Sequence, residues 1–286
     1  MSVKFSKLLR IGYTHAQAQV FPRILKDTVV GVEAQKLFDD AQRLLNAWTQ
    51  DPKGIKMKAV HGIFPAARTN SETVTLFDPV KANQPIGKFE FLRQQIDQRD
   101  GIQRSLADFI SPCSTPDDFL GCFAVAVHGI DPIADAQVAQ GDDYEAILIK
   151  AVGDRLAEAL AEWLHQKVRR ETWGYASDES LNNEALIKEQ YQGIRPAPGY
   201  PACPDHLDKE QIWSLLKAED TIGARLTENL AMQPASAVSG YYFAHPESRY
   251  LGVGLIADDQ ISDLAQRRNL SLVSMKRWLS ANLLDA

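Results

Sequence analysis

The residues best placed by type and spacing to do chemistry lie in one stretch, Gln192 to His206 (Gln-Gly-Ile-Arg-Pro-Ala-Pro-Gly-Tyr-Pro-Ala-Cys-Pro-Asp-His). Arg195 stands at its head, Gly199 and Tyr200 at its middle and His206 at its end. Pro196, Pro198, Pro201 and Pro204 fix φ and remove backbone donors, so the stretch is an extended, stiff loop rather than a helix interior or a central strand. A loop of this kind is either a functional element or a rigid crossover with a structural Arg. As a functional element it suits a small zwitterion. Arg195 can grip a carboxylate through a two-pronged hydrogen bond, and Glu158 or Glu189 can pair an ammonium. Tyr200 and Tyr250 can pack on a ring or hydrogen-bond a ribose. The loop carbonyls, whose neighbouring donors are missing, are expected to be free to read amino groups. No general acid–base pair, nucleophile elbow, phosphate loop or metal cluster stands out. Cys113, Cys122 and Cys203 fit no zinc spacing, and only His206 lies near one of them.

The elements that must position these residues follow from periodicity. Asp27 to Trp48 predicts a helix with Val32, Leu37, Ala41, Leu44, Leu45 and Trp48 as its apolar stripe. Lys58 to Phe64, followed by Pro65, and Glu72 to Phe77 predict a hairpin turning at Arg68 to Ser71. Lys88 to Gln95 could continue that hairpin or start a helix, and is read as a helix. Phe119 to His128 is a continuous apolar run and predicts a central strand. Asp142 and Asp143 cap the longest helix, which reaches about Trp173 and is buried along Ile149, Val152, Leu156, Leu160, Trp163, Leu164 and Val168. Asp154, Glu158 and Glu162 share one face of it, which on spacing alone reads as a solvated acidic edge. Ser180 to Tyr191 is a short polar helix leading into the proline loop. After the loop come a helix from Lys209 to Glu219 and a loop from Ile222 into Thr227. Strands at Ala237 to Phe243 and Tyr250 to Ile256 follow, then helices from Asp258 to Arg268 and from Ser271 to about Leu279. Gly240, Gly252 and Gly254 leave room for a ligand or another backbone. Paired strands set apart from helical runs indicate α+β, with a mostly antiparallel sheet.

Composition bounds the class. The chain has 286 residues, 45% hydrophobic and 24% charged, with net charge -6. It can bury a sizeable core, carries no basic block for nucleic acid and has no apolar run long enough for a membrane span. Unpaired cysteine usage and an N-terminus without a signal core point to the cytoplasm.

The segment Tyr191 to His206 resembles the S-adenosylmethionine-binding motif of the activation domain of cobalamin-dependent methionine synthase. Phe21 to Ala34, Asp142-Asp-Tyr144, Gly153 to Ala159, Leu226-Thr-Glu228 and Ser236 to Gly240 are similar to that domain in the same order. The resemblance implies a C-shaped single α+β domain over residues 21–286, with a twisted, mostly antiparallel sheet and flanking helices, preceded by a divergent segment, 1–20. It implies that Arg195 holds the methionyl carboxylate. It implies that Ala197, Gly199, Tyr200, Tyr250 and Leu251 line the cofactor, with Glu158 and Glu189 as acidic positions near it. Asp154, Tyr200 and His206 are expected to face the corrin.

The implied function is a reactivation module of methionine biosynthesis. It supports reductive methylation of cob(II)alamin held by a cobalamin-binding domain or protein, with a flavodoxin-type electron donor. The chain would be the activation component of a methyltransferase, here free-standing. Residues 1–20 contain no Asp or Glu, whereas the family carries a carboxylate for the cofactor's amino group there. That departure motivates an alternative: a docking or chaperone-like partner of a corrinoid protein that has lost effective S-adenosylmethionine binding.

Overall fold

The computed structural model describes residues 23–284, apart from 27, 82 and 114; the expectation for residues 1–20 lies outside them. A short 3-10 turn at Arg23–Lys26 leads to α1, Gly31–Gln50. Then come β1 (Lys56–Arg68), β2 (Thr73–Phe77) and β3 (Pro85–Glu90). β4 (Asp118–His128) is followed by α2 (Ile130–Val138) and α3 (Asp143–Lys167), which continues into a π turn at Val168–Thr172. α4 is one turn, Asn183–Ile187, before the proline loop. Beyond the loop lie α5 (Asp208–Leu216), α6 (Ala218–Ile222), the short strands β5 (Arg225–Leu226) and β6 (Met232–Gln233), β7 (Ala237–Tyr242), α7 (Asp258–Arg268) and α8 (Leu272–Trp278). The fold is α+β. Its five-stranded, mostly antiparallel sheet has the order β3-β2-β1-β4-β7, beside a two-stranded β5-β6 ribbon.

The chain forms two compact units. The first comprises the described residues through Val60, Ala124–Tyr191 and Glu219–Val238. Its apolar cluster draws Leu44, Leu45 and Trp48 from α1, Ile130 and Ala134 from α2, and Leu148, Ile149, Val152 and Leu156 from α3. Each large aliphatic side chain buried this way contributes about 1.5–3 kcal/mol. Asp142 caps α3 by accepting from the Glu145 amide at 2.9 Å, as its type and position predict.

The second unit comprises His61–Phe123, Gln192–Ala218 and Ser239 onward. It packs Leu92, Val253, Ile256, Ile261, Leu264 and Met275 together. An aromatic group lies beneath the sheet strands, with Phe89 and Phe91 edge-on to Tyr241 at 4.9 and 5.5 Å.

Several expectations are corrected. The segment 88–95 is not helical: β3 pairs with β2, Val74 opposite Phe89 and Thr73 opposite Glu90. Buried Glu90 hid the strand pattern. It is tolerated because Thr73, Lys88 and Arg267 all reach its carboxylate, at 2.6, 2.7 and 2.7 Å. β1 is longer than the expected Lys58 to Phe64: it runs through Pro65 to Arg68 and pairs with β2 from Ala66 onward, where proline's missing donor is not needed. Val32 and Leu37 are exposed, so the α1 stripe is buried only in its second half. β4 ends at His128, before Gly129, and Pro132 sits in the first turn of α2, where its missing N–H costs nothing. Tyr250 to Ile256 is not a strand, because Gly254 at φ +79° takes the chain out of the extended region.

Candidate functional site

The head of the proline loop is held by the end of β7. Ile194 and Phe243 exchange two backbone hydrogen bonds, at 3.0 and 3.1 Å, and the Tyr241 amide donates to the Pro196 carbonyl at 2.9 Å. The loop thus takes the place expected for Tyr250–Ile256 beside β7. Gly240 makes this approach feasible: a Cβ there would lie 2.3 Å from the Pro196 oxygen. The loop is extended only at its head. From Ala197 it folds into a double turn, with Gly199 N–H donating to Cys203 O at 2.8 Å and Cys203 N–H to Tyr200 O at 2.9 Å. The Cys203 thiol donates to Ala197 O at 3.0 Å, and burial pushes its pKa well above the usual thiol range. It braces the turn and is no nucleophile.

The expectation of free loop carbonyls is also corrected. Those of Ile194, Pro196, Ala197, Tyr200, Pro201 and Cys203 each accept a hydrogen bond from the chain. Proline removes donors from the loop itself, but the neighbouring strand and the turn supply others.

The site residues of the second unit converge. The Arg195 amide donates to Tyr250 Oη at 3.2 Å, and the Arg195 side chain is half-buried. Tyr200 and Tyr250 are 55% and 43% exposed, which is unusual for large aromatics. Leu251, next to Tyr250, is half-buried against the apolar cluster of that unit. Gly199 has φ +95°, and a Cβ on it would lie 2.0 Å from the His206 ring, so the imidazole seats on the glycine backbone. His206 is half-buried. Burial and the nearby Lys209 charge lower its pKa against an opposing hydrogen bond to Pro198, which favours a neutral ring.

Beneath the loop's end lies a charged base that local sequence patterns did not reveal. Arg268 of α7 meets Asp208 at 2.6 Å, Asp205 at 3.2 Å and the Glu90 carbonyl at 2.9 Å. Tyr241 Oη donates to the other Asp208 oxygen at 2.6 Å. Tyr241 therefore holds both ends of the loop, Pro196 through its backbone and Asp208 through its side chain. One guanidinium serves two buried carboxylates here. Burial outweighs the more distant Arg268 contact and pushes Asp205 up to about 6. Burial alone would lower Arg268, but Asp208 and Asp205 raise it. Arg268 thus keeps its charge, while burial favours the neutral form of Asp205, the carboxylate at the longer contact.

In the first unit, α3 carries the acidic face expected for it, and its burial is graded. Asp154 is exposed and accepts from Ser236 Oγ at 2.9 Å, Glu158 is half-buried, and Glu162 is buried at 2% exposure. The solvated-edge reading therefore holds for Asp154 alone. Glu189 follows α4 in the left-handed region, φ +51°. It stands at the helix C-terminus in the position that usually takes glycine, with the Gln190 amide closing back to Ala185 O at 3.0 Å.

The second unit thus brings together an Arg held through its backbone amide, exposed Tyr200 and Tyr250, and a glycine that seats an imidazole. No His/Cys/Asp/Glu group that could hold a metal ion occurs among the described residues. No described helix is long and apolar enough to cross a membrane.

Residues 13–269 match the family model described as vitamin B12 dependent methionine synthase, activation domain. A crystal structure described as the MetH reactivation domain bound to AdoHcy is similar to the chain at TM-score 0.88 and 43% identity. The match covers 100% of this chain and 90% of that one.

Proposed function

Because the chain belongs to the family of the vitamin B12 dependent methionine synthase activation domain, we propose that it binds S-adenosylmethionine and supports reductive methylation of cob(II)alamin carried by a partner domain or protein. The electron comes from a flavodoxin-type donor, and the setting is the cytoplasm. When bound, S-adenosylmethionine supplies an electrophilic methyl group on a sulfonium. The residues of this chain bind and orient. Arg195 fixes the methionyl carboxylate with its planar fork, and its position is set by the backbone bond to Tyr250. Tyr200 and Tyr250 offer ring faces, while Ala197, Gly199 and Leu251 shape the wall. Glu158 and Glu189 are assigned to the cofactor's ammonium on resemblance. Asp154 and His206 are assigned to the corrin-facing side, where a neutral imidazole avoids repelling a sulfonium. The gain is near-attack positioning rather than proton transfer.

The observation that supports this most is the Arg195–Tyr250 clamp, flanked by exposed Tyr200, in a chain 43% identical to a domain that holds AdoHcy. Calorimetric titration tests it. S-adenosylmethionine and S-adenosylhomocysteine should both bind, and Arg195→Ala should weaken binding by about 10- to 100-fold, the loss of charge-assisted hydrogen bonds. Absence of both heat and thermal shift at millimolar ligand would sink the proposal and favour a docking role without cofactor.

A further inference from the structure

Behind the acidic positions of the first unit lies a buried polar cluster that the proposed binding does not itself use. Arg169, in the π turn that ends α3, is fully buried. Its guanidinium forms a two-pronged ion pair with Glu179, at 2.6 and 2.9 Å. It stacks 3.7 Å over the Tyr191 ring. Tyr191 Oη in turn donates to Glu162 Oε2 at 3.1 Å, and His165 meets the Tyr191 ring edge-on at 5.2 Å. A buried charge held this way is no bargain for stability by itself, since an apolar replacement of similar volume often does as well. Its geometry is what a hydrophobic contact would not reproduce.

That geometry joins two elements. Glu162 lies one helical turn beyond Glu158 on α3. Tyr191 lies two residues beyond Glu189, whose own amide donates to Leu186 O and whose neighbour Gln190 donates to Ala185 O, both at 3.0 Å. We propose that Tyr191, gripped by Glu162 and Arg169, is a positioning residue that locks the Glu189 segment onto α3 and so fixes Glu189 relative to Glu158. The pair then presents carboxylates at one set spacing to the ammonium of an amino-acid ligand. Left-handed Glu189 needs such a lock, because a non-glycine residue leaves that conformation readily when its neighbours are released. This inference rests on the binding role proposed for Glu158 and Glu189.

The test is a double-mutant cycle on S-adenosylmethionine affinity with the full chain. Tyr191→Phe removes the hydroxyl and keeps the ring under Arg169. It should weaken binding about five- to tenfold, on the scale of one buried hydrogen bond. In a Glu189→Gln background the same change should have almost no further effect, because the carboxylate it positions is gone. Arg169→Lys, which keeps charge but loses the fork and the stack, should behave the same way, provided its thermal unfolding remains cooperative. Equal losses in both backgrounds would show a merely structural role and overturn the proposal, as would unchanged affinity in Tyr191→Phe. If the unaltered chain does not bind, the binding role itself fails, and that result is read before any variant.

Discussion

Gly240 offers a sharp test of how the loop is held. In Gly240→Ala the new Cβ would lie 2.3 Å from Pro196 O and 3.1 Å from Phe123 Cε1. The first atom is backbone, so no rotamer change relieves the contact, and the loop must move by roughly an ångström. That movement breaks the Tyr241 N–H bond to Pro196, 2.9 Å, and strands a donor on a residue that is fully buried. The stranded donor costs about 1–3 kcal/mol and the strain of overpacking about 1–3 kcal/mol. Together they amount to about 4 kcal/mol, or roughly 10 °C in midpoint for a chain of this size. Gly252→Ala is the matched control. Its nearest neighbour is Pro201 Cβ at an ordinary 3.6 Å, so stability should stay within about 0.5 kcal/mol. Thermal and urea unfolding of the two variants, with calorimetric titration of S-adenosylmethionine, measure both consequences. Gly240→Ala should lose stability and most binding, and Gly252→Ala neither. Equal behaviour of the two alanines would refute the reasoning.

Two further outcomes follow from the geometry. Glu189→Gly removes a left-handed strain of about 1 kcal/mol, partly offset by the entropy of an added glycine; it should leave unfolding free energy equal or higher while S-adenosylmethionine affinity falls, and a clear loss of stability would contradict the strained-ligand reading. Asp205 is raised from 3.8 to about 6 by burial, so the stability it contributes is complete below about pH 4 and is lost as pH rises towards 6. A shift of about two units is on the order of 3 kcal/mol. The unfolding free energy of Asp205→Asn relative to the parent chain should therefore climb by roughly that amount between pH 4 and pH 7; a difference independent of pH would mean that Asp205 titrates normally.

Much of the architecture was legible because it is written locally. The α3 cap at Asp142, the apolar run of β4 and the hairpin turn between β1 and β2 all lie where spacing predicts them. Several failures share one physical form: a residue whose partner is distant in sequence. Glu90 reads as a surface charge until Arg267 is seen to neutralise it. Glu162 reads as solvated until Tyr191 and Arg169 are seen above it. In the proline loop, the Arg195 amide meets Tyr250 and Gly199 seats the His206 ring. The loop's support was not legible, since nothing near Asp205 or Asp208 announces Arg268, 60 residues on from Asp208. The glycines at 240, 252 and 254 promised a close approach by a ligand or a backbone; at 240 it is the loop backbone that approaches.

The pairing of Ile194 and Pro196 with β7 has a consequence beyond ligand binding. β7 is the last strand of its sheet, and the run Ala237 to Phe243 (Ala-Val-Ser-Gly-Tyr-Tyr-Phe) is uncharged and rich in β-formers. Bare, such a rim would invite a second molecule to add a strand. The loop occupies those hydrogen-bonding positions, and its prolines offer little for a further chain to join. The segment assigned to hold the cofactor is thus also the guard against self-association, so changes that loosen it should cost solubility together with affinity.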